Sequence, residues 1–421
     1  MLFDEGMQPP NPTPRPDADG AMTAANPARG VLFALLAAAI RNRTPEPGPS
    51  LSIPEWEQLT GTADAANLLP LLYPAAARCL GPWAPPPARL AAWRKTAYQA
   101  AMIEERRMRE GLKVTVALAH QGLPCVAFKG MTLRALYPHP ELRTMGDIDL
   151  LVRPEDVPSA EDTLKMLGLR RVGGKHFQSS WSSGPGSLIE LHSALLDEPQ
   201  PELERRFFEQ AVVRQTAGGT FRAPAPEDAA VYQVLHMAKH LRYLGFGLRD
   251  LADLTLQLEQ GVDVGRLMER LDGCGAGTFG RAVLLVCRAV LALRLSAETT
   301  AAWKIPPDTL RRLTDEIVSA GVHGKNSPER EWSRRVAVQP GESPGRFFLA
   351  LAFPPTNELR HRYGYSRSRS WLLVAAWMHR LIRAGALSPR WTFLHLRLAL
   401  RARFGTDQRR VLLAKLGLKA C

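Results

Sequence analysis

The feature that most constrains how this chain can fold is a change of hydrophobic period at Gly122. Up to that point apolar residues recur at helical spacing, over 31–41, 56–69 and 88–120. Beyond it come short apolar runs bounded by Gly and Pro: "LPCVAF" at 123–128, "DIDLLV" at 147–152, "KHFQSSW" at 175–181 and "SLIELHS" at 187–193. Runs of this length and setting read as strands. The turn sequence "SSGPG" joins the last two into a hairpin. Two helices lie among the strands. In "MTLRALY", Leu133, Leu136 and Tyr137 have helical spacing and Thr132 can cap the start. In "RPEDVPSAEDTLKMLG", Pro154 suits a first turn, Glu155 and Asp156 suit the positive end of the dipole, and Gly168 closes the helix. From Pro201 the reading is helical again, through 226–245, 248–261 and a pair over 264–295 broken at "GCGAGTFG". The expected fold class is α+β, a small α/β core with helices before and after it.

The expected divisions follow from these changes. Residues 1–28 are rich in Pro and lack periodicity, which predicts a disordered leader. An N-terminal helical region occupies 29–120, the α/β core 121–200, a helical domain 201–345 and a basic helical region 346–421. The segment 321–345 is polar and turn-rich.

The net charge of +13 over 421 residues is concentrated at one end. Residues 361–421 hold thirteen Lys and Arg against the single acid Asp407. The rest of the chain is close to neutral, so basicity describes the tail and not the whole surface. "RYGYSRSRSW" mixes Arg with aromatics, and "LRLALRARFG" is a basic amphipathic helix. Such a tail can bind nucleic acid, an acidic membrane surface or a partner protein, or simply be solvated.

Five scattered cysteines with no CxxC pairing suggest a reducing compartment. Asp4 and Glu5 precede any apolar stretch, unlike a signal peptide. "VLFALLAAAI" and "WLLVAAWMHRLI" fall short of the roughly 20 residues that cross a bilayer. The expectation is a cytoplasmic protein without a transmembrane segment.

The strand "DIDLLV" carries Asp147 and Asp149, which alternation puts on one face while Ile148 turns to the core. Two parallel carboxylates repel unless a cation joins them, and Mg²⁺ prefers carboxylate and phosphate oxygens. Such sites clamp the oxygens of an in-line phosphoryl or nucleotidyl displacement. Glu190 in "IELH" is a third acid, and His192 lies two residues on, on the same face. His192 can contact a phosphate, orient Glu190 or help to deprotonate an acceptor; the bland alternatives are a rim Glu190 and a core His192. Lys129-Gly130, between a strand and a helix, suits a triphosphate. Arg143 and Arg134 are further phosphate candidates.

Together, "FKGMTLRALYPHPELRTMGDIDLLVRPEDVPSAEDTLKMLG" and the following "IELH" resemble the uncharacterised nucleotidyltransferase family of bacteria, a branch of the polymerase-beta-like superfamily. "PAPEDAAVYQVLHMAKH" and "LRDLADL" resemble that family's helical half. The resemblance implies a small mixed-sheet nucleotidyltransferase core, Mg²⁺ and an NTP (ATP by default) as cofactors, and transfer of a nucleoside monophosphate. It implies Asp147 and Asp149 as metal ligands and Glu190 as the third acid. Lys129-Gly130 stands where the wider superfamily has Gly-Ser, and sixteen residues separate Gly130 from Asp147. The phosphate cradle is therefore expected to differ.

In this reading the helical half covers the nucleotide. His236, Lys239 and His240 can then line the cleft and contact phosphate or acceptor. His236 and His240 also have metal-ligand spacing, but no third ligand is evident, and plain core or surface histidines remain the alternative. Arg249 and Asp253, at i and i+4, are expected to pair. Asp250 can cap a neighbouring helix or hold the acceptor. The expected activity is Mg²⁺-dependent transfer of a nucleoside monophosphate to a hydroxyl, with release of pyrophosphate. The acceptor can be a small molecule, peptide, protein or tRNA. The alternative is a non-catalytic protein of the same fold that binds RNA or a partner through its basic tail.

Overall fold

A computed structural model describes residues 26–322 apart from His176 and Pro185, a few positions within 372–379, and 409–418. The expected leader and most of the basic tail lie outside the described residues. The described residues begin with helices α1 (Pro27–Ala39), α2 (Ile53–Ala65), α3 (Leu69–Ala76) and α4 (Pro87–His120). Asn26 caps α1 through its side chain, so the helix starts inside the expected leader. Ser52 and Glu55 form a capping box on α2.

The core follows as β1 (Cys125–Phe128), a single-turn helix α5 (Gly130–Leu133), β2 (Ile148–Val152), α6 (Val157–Met166), β3 (Arg170–Lys175), β4 (Gln178–Ser182) and β5 (Ile189–His192). The sheet order is β1-β2-β5-β4-β3. Only β2 and β5 run parallel; β1–β2, β5–β4 and β4–β3 are antiparallel. The expected hairpin is thus β4–β5, and the mixed sheet implied by the family resemblance is present. Strand β3 was not expected.

The sheet is buried on both faces because its strands alternate between two apolar clusters. Cys125, Ala127, Ile148, Leu150, Val152, Ile189 and Leu191 pack with α4 and α6. Val126, Phe128 and Leu151 belong to the opposite cluster, with Phe207 and Tyr232. Each fully buried aliphatic side chain contributes on the order of 1.5–3 kcal/mol. This packing fixes the register of β2, since a one-residue slip would turn its aliphatic side to the other face.

Beyond the sheet come α7 (Pro201–Glu209), β6 (Val212–Thr216), β7 (Gly219–Ala223), α8 (Pro226–Tyr243), α9 (Leu248–Glu259), α10 (Val264–Gly273), α11 (Gly277–Leu291), α12 (Ala297–Ala301) and α13 (Pro307–Ala320). The hairpin β6–β7 corrects the expectation of helices throughout this part. Its Phe221 and Ala223 are buried with α4 and the sheet. Helices α1–α3 share one apolar cluster with α8–α11. Leu412, Leu413, Leu416 and Leu418 join that cluster, so the described end of the basic region is anchored by leucines. No helix among the described residues is long and apolar enough to cross a membrane. Cys79, Cys125, Cys274 and Cys287 are free thiols.

Candidate active site

Strands β2 and β5 bring the acids together. Their register sets Asp149 opposite Glu190 and Leu151 opposite His192. Asp147 precedes β2 by one residue and keeps the i, i+2 relation to Asp149. Above the sheet is a cleft of about 450 Å³, lined by Asp147, Glu190 and His192 on one side and by α8 and α9 on the other. Asp149 lies beneath this lining with no exposed surface.

One oxygen of Asp149 is heavily used. Lys129 Nζ donates to Oδ1 at 2.6 Å, and His192 Nε2 lies 3.0 Å from the same atom. The other oxygen, Oδ2, is buried without a hydrogen-bond partner among the described residues. Burial by itself would raise the Asp149 carboxyl, but Lys129 and the hydrogen bond with His192 outweigh it and hold it near 2. Repulsion from Asp149, with burial, pushes Asp147 to about 6. Burial opposes charge on Lys129, yet Asp149 raises its ammonium well above the ordinary value. For His192 burial is again outweighed, by hydrogen bonds to Asp149 and Glu190, and its value rises.

Lys129 reaches Asp149 through an uncommon backbone. Its φ of +50° is left-handed, a conformation that costs a non-glycine residue about 1–2 kcal/mol. It lies between β1 and α5, where the chain must turn sharply while the ammonium stays over the sheet. Gly130 follows, and its missing side chain has a packing reason. A Cβ there would stand 2.7 Å from Met145 Cγ and Sδ. Met145 is buried two residues before Asp147. Gly130 therefore lets the acid-bearing loop seat against the start of α5.

Arg143 lines the cleft but is already paired. Its Nε donates to Asp253 Oδ1 at 3.1 Å and its Nη2 to Asp253 Oδ2 at 2.6 Å. Tyr137 donates its hydroxyl to Asp253 Oδ1 at 2.8 Å. This buried network ties the loop before β2 to α9. It also corrects the expected pairing of Asp253 with Arg249. Arg249 instead donates to the Thr144 carbonyl at 3.0 Å. Asp250 accepts from Gly247 N at 3.1 Å and caps its own helix, not a neighbouring one.

Helix α8 supplies Tyr232, His236 and His240 on one face, together with Lys239. His236 stacks on Tyr232 with centroids 5.4 Å apart, and its Nε2 lies 3.1 Å from His240 Nε2. Lys239 pairs with Asp197 at 3.0 Å and sits 5.5 Å from the Phe177 ring centre. Lys129, Gly130, Arg143, Asp147, Glu190, His192, His236, Lys239 and His240 thus line one cleft, with Asp149 just below its surface. Arg134 lies outside that lining, buried and paired with Glu105 at 2.6 Å. The sequence reading missed Tyr232, Gln233 and Arg249 as cleft residues; the i, i+4 face running through His236 and His240 already passes through Tyr232.

Ligand atoms of Asp149, Glu190 and His192 lie within 4.8 Å of one another, a group that does not include the expected Asp147. Its two carboxylates suit a hard divalent cation, and the unpartnered Oδ2 of Asp149 is a buried acceptor in need of a cation or donor.

Residues 53–292, more than half of the chain, match the family described as uncharacterised nucleotidyltransferase. The chain belongs to this nucleotidyltransferase family. It is therefore an enzyme of the nucleotidyltransferase type, as the quoted motifs implied. No curated protein matches the chain. Among solved structures, ANT(2'')-Ia, described as an antibiotic-resistance factor, is 18% identical, with 38% of this chain and 86% of that one covered at a TM-score of 0.29. The same protein in complex with adenylyl-2"-tobramycin is 18% identical, with 38% and 92% covered at 0.30. A tRNA nucleotidyltransferase complexed with a primer tRNA and an incoming ATP analog is 14% identical, with 72% and 98% covered at 0.22. Overlaps this loose add nothing to the assignment, which stands on the family match and the site.

Proposed function

We propose that this member of the nucleotidyltransferase family transfers a nucleoside monophosphate from an NTP to a hydroxyl acceptor, in a reaction that depends on Mg²⁺. The observation that carries the reading is the register of Asp149 opposite Glu190, with Asp147 at the mouth of the same strand, beside a cleft of about 450 Å³. That volume is in the range of small-molecule sites.

Asp147, Asp149 and Glu190 would hold the metal. When bound, Mg²⁺ neutralises the triphosphate and the charge that builds on the departing pyrophosphate. The acceptor oxygen attacks the α-phosphorus. A new phosphorus–oxygen bond forms as the bond to the bridging oxygen breaks, and pyrophosphate leaves. Glu190 is assigned to take the acceptor's proton, with His192, 3.5 Å away, orienting its carboxylate. Lys129 holds Asp149 ionised and supplies positive charge at the cleft. Lys239 and His240 face the site from the helical half and are assigned to the nucleotide's phosphates. Arg143 acts by bracing the loop, because Asp253 already engages its guanidinium. ATP is the first nucleotide to test.

The experiment is transfer of α-labelled NTP to an acceptor from a cell extract. Asp147→Ala is expected to abolish transfer while the protein stays folded. Undiminished labelling by that variant would overturn the assignment.

A further inference from the structure

Two arginines converge on the loop that leads to Asp147, and only one has a bonded acid. Arg143 Nη1 and Arg249 Nη1 both donate to the Thr144 carbonyl, at 3.1 and 3.0 Å. Arg143 is matched by Asp253 through two hydrogen bonds. Arg249 forms no ion pair among the described residues, and its Nε is buried without a hydrogen-bond partner. Two of the nearby acids are committed elsewhere, Asp253 to Arg143 and Tyr137 and Asp250 to Gly247 N and Gln233. The third, Asp147, is close enough to feel the Arg249 charge but forms no hydrogen bond or ion pair with it among the described residues. Burial and the Arg143 charge together disfavour charge on Arg249. A guanidinium kept in such a place is costly unless an anion meets it.

Arg249 lines the cleft and lies near enough to Asp147 to draw that carboxyl's value down. The acids and any metal they hold are therefore adjacent to its free donors. A planar fork of donors matches phosphate oxygens in pairs.

We propose that Arg249 clamps the phosphate chain of the nucleotide, with the Thr144 carbonyl holding one arm of the fork. The proposal rests on the nucleotidyltransferase reading and names a group of that same site. Arg143, which the sequence suggested for this task, braces the loop instead.

The test is calorimetric binding of tripolyphosphate in the presence of Mg²⁺ to the full chain, with Mn²⁺ alone titrated in parallel. Arg249→Gln is expected to weaken tripolyphosphate binding about tenfold or more and to leave Mn²⁺ affinity within about threefold. Arg249→Lys keeps the charge without the fork and is expected to fall between the two. It also carries the test if the glutamine variant fails to fold. Tripolyphosphate binding equal to wild type in either variant overturns the clamp. Equal losses for tripolyphosphate and Mn²⁺ also overturn it, since they mark a residue that only holds the loop carrying Asp147. A wild-type protein that binds Mn²⁺ but no tripolyphosphate sinks the nucleotidyltransferase reading, and the clamp with it.

Discussion

Lys129 Nζ stands 2.6 Å from Asp149 Oδ1, an ion pair in which the acid has no exposed surface and the lysine carries a left-handed backbone. Removing one partner leaves the other charge buried. Lys129→Met and Asp149→Asn are each expected to destabilise the fold by about 3–5 kcal/mol. The double variant should lose less than the two single losses combined. Urea unfolding of the three variants measures this; additive losses would show that the pair is not coupled.

Asp147 gives a pH dependence of the opposite sign to that of Asp149. Its carboxyl is raised from 3.8 to about 6, so folding favours the protonated form. That stabilisation is complete below 3.8 and disappears as pH rises through about 6. The shift corresponds to about 3 kcal/mol at most, and solvent screening at this half-buried side chain reduces it to about 1–2 kcal/mol. Metal-free Asp147→Asn is therefore expected to be more stable than wild type at pH 8 and equal to it near pH 3.5. Urea midpoints across this range check the expectation, and added Mg²⁺ should stabilise wild type but not the variant.

The Arg143–Asp253 pair joins the α/β core to the helical half across 110 positions of sequence. Asp253→Ala strands a buried guanidinium and the Tyr137 hydroxyl together, and is expected to cost about 3–5 kcal/mol. Arg143→Lys should recover little, because an ammonium cannot span both carboxylate oxygens. Differential unfolding of the two variants reads the pair directly. A lysine variant as stable as wild type would remove the case for the two-point contact.

This network also shows where sequence reading stops. The strands β1, β2 and β5 were legible because their apolar runs sit between Gly and Pro, and the alternation of Asp147, Ile148 and Asp149 named the acids. Spacing alone favoured Arg249 as the partner of Asp253, since i, i+4 residues share a helix face. The actual partner comes from another part of the fold, and nothing local announces it. Strand β3 escaped because "RRVGGK" is charged and glycine-rich, and it forms at the sheet edge by pairing with β4 alone. Helix α3 escaped because it is only eight residues long and holds two prolines, Pro70 in its first turn and Pro74 inside it, which weaken any helical signal. The hairpin β6–β7 had a signal in "TAGGT", where a turn interrupts two alternating runs.

Gly130 offers the sharpest separation of packing from chemistry. A methyl group there meets Met145 Cγ and Sδ at 2.7 Å, closer than carbon and sulfur can sit. The contact reaches back to Met145 Cβ at 3.1 Å, so a rotation of the Met145 side chain alone does not relieve it, and Gly130→Ala pushes the loop that ends at Asp147. The expected result is loss of about 1–3 kcal/mol of stability together with weaker metal binding and slower transfer. Met145→Ala removes the clashing atoms at a cost of about 2–5 kcal/mol for the cavity. In the double variant the new methyl occupies part of that cavity. Metal affinity and transfer should therefore recover relative to Gly130→Ala, measured by Mn²⁺ titration and α-label transfer. If activity stays lost in the double variant, the glycine serves the nucleotide by close backbone approach, and its contact with Met145 is incidental.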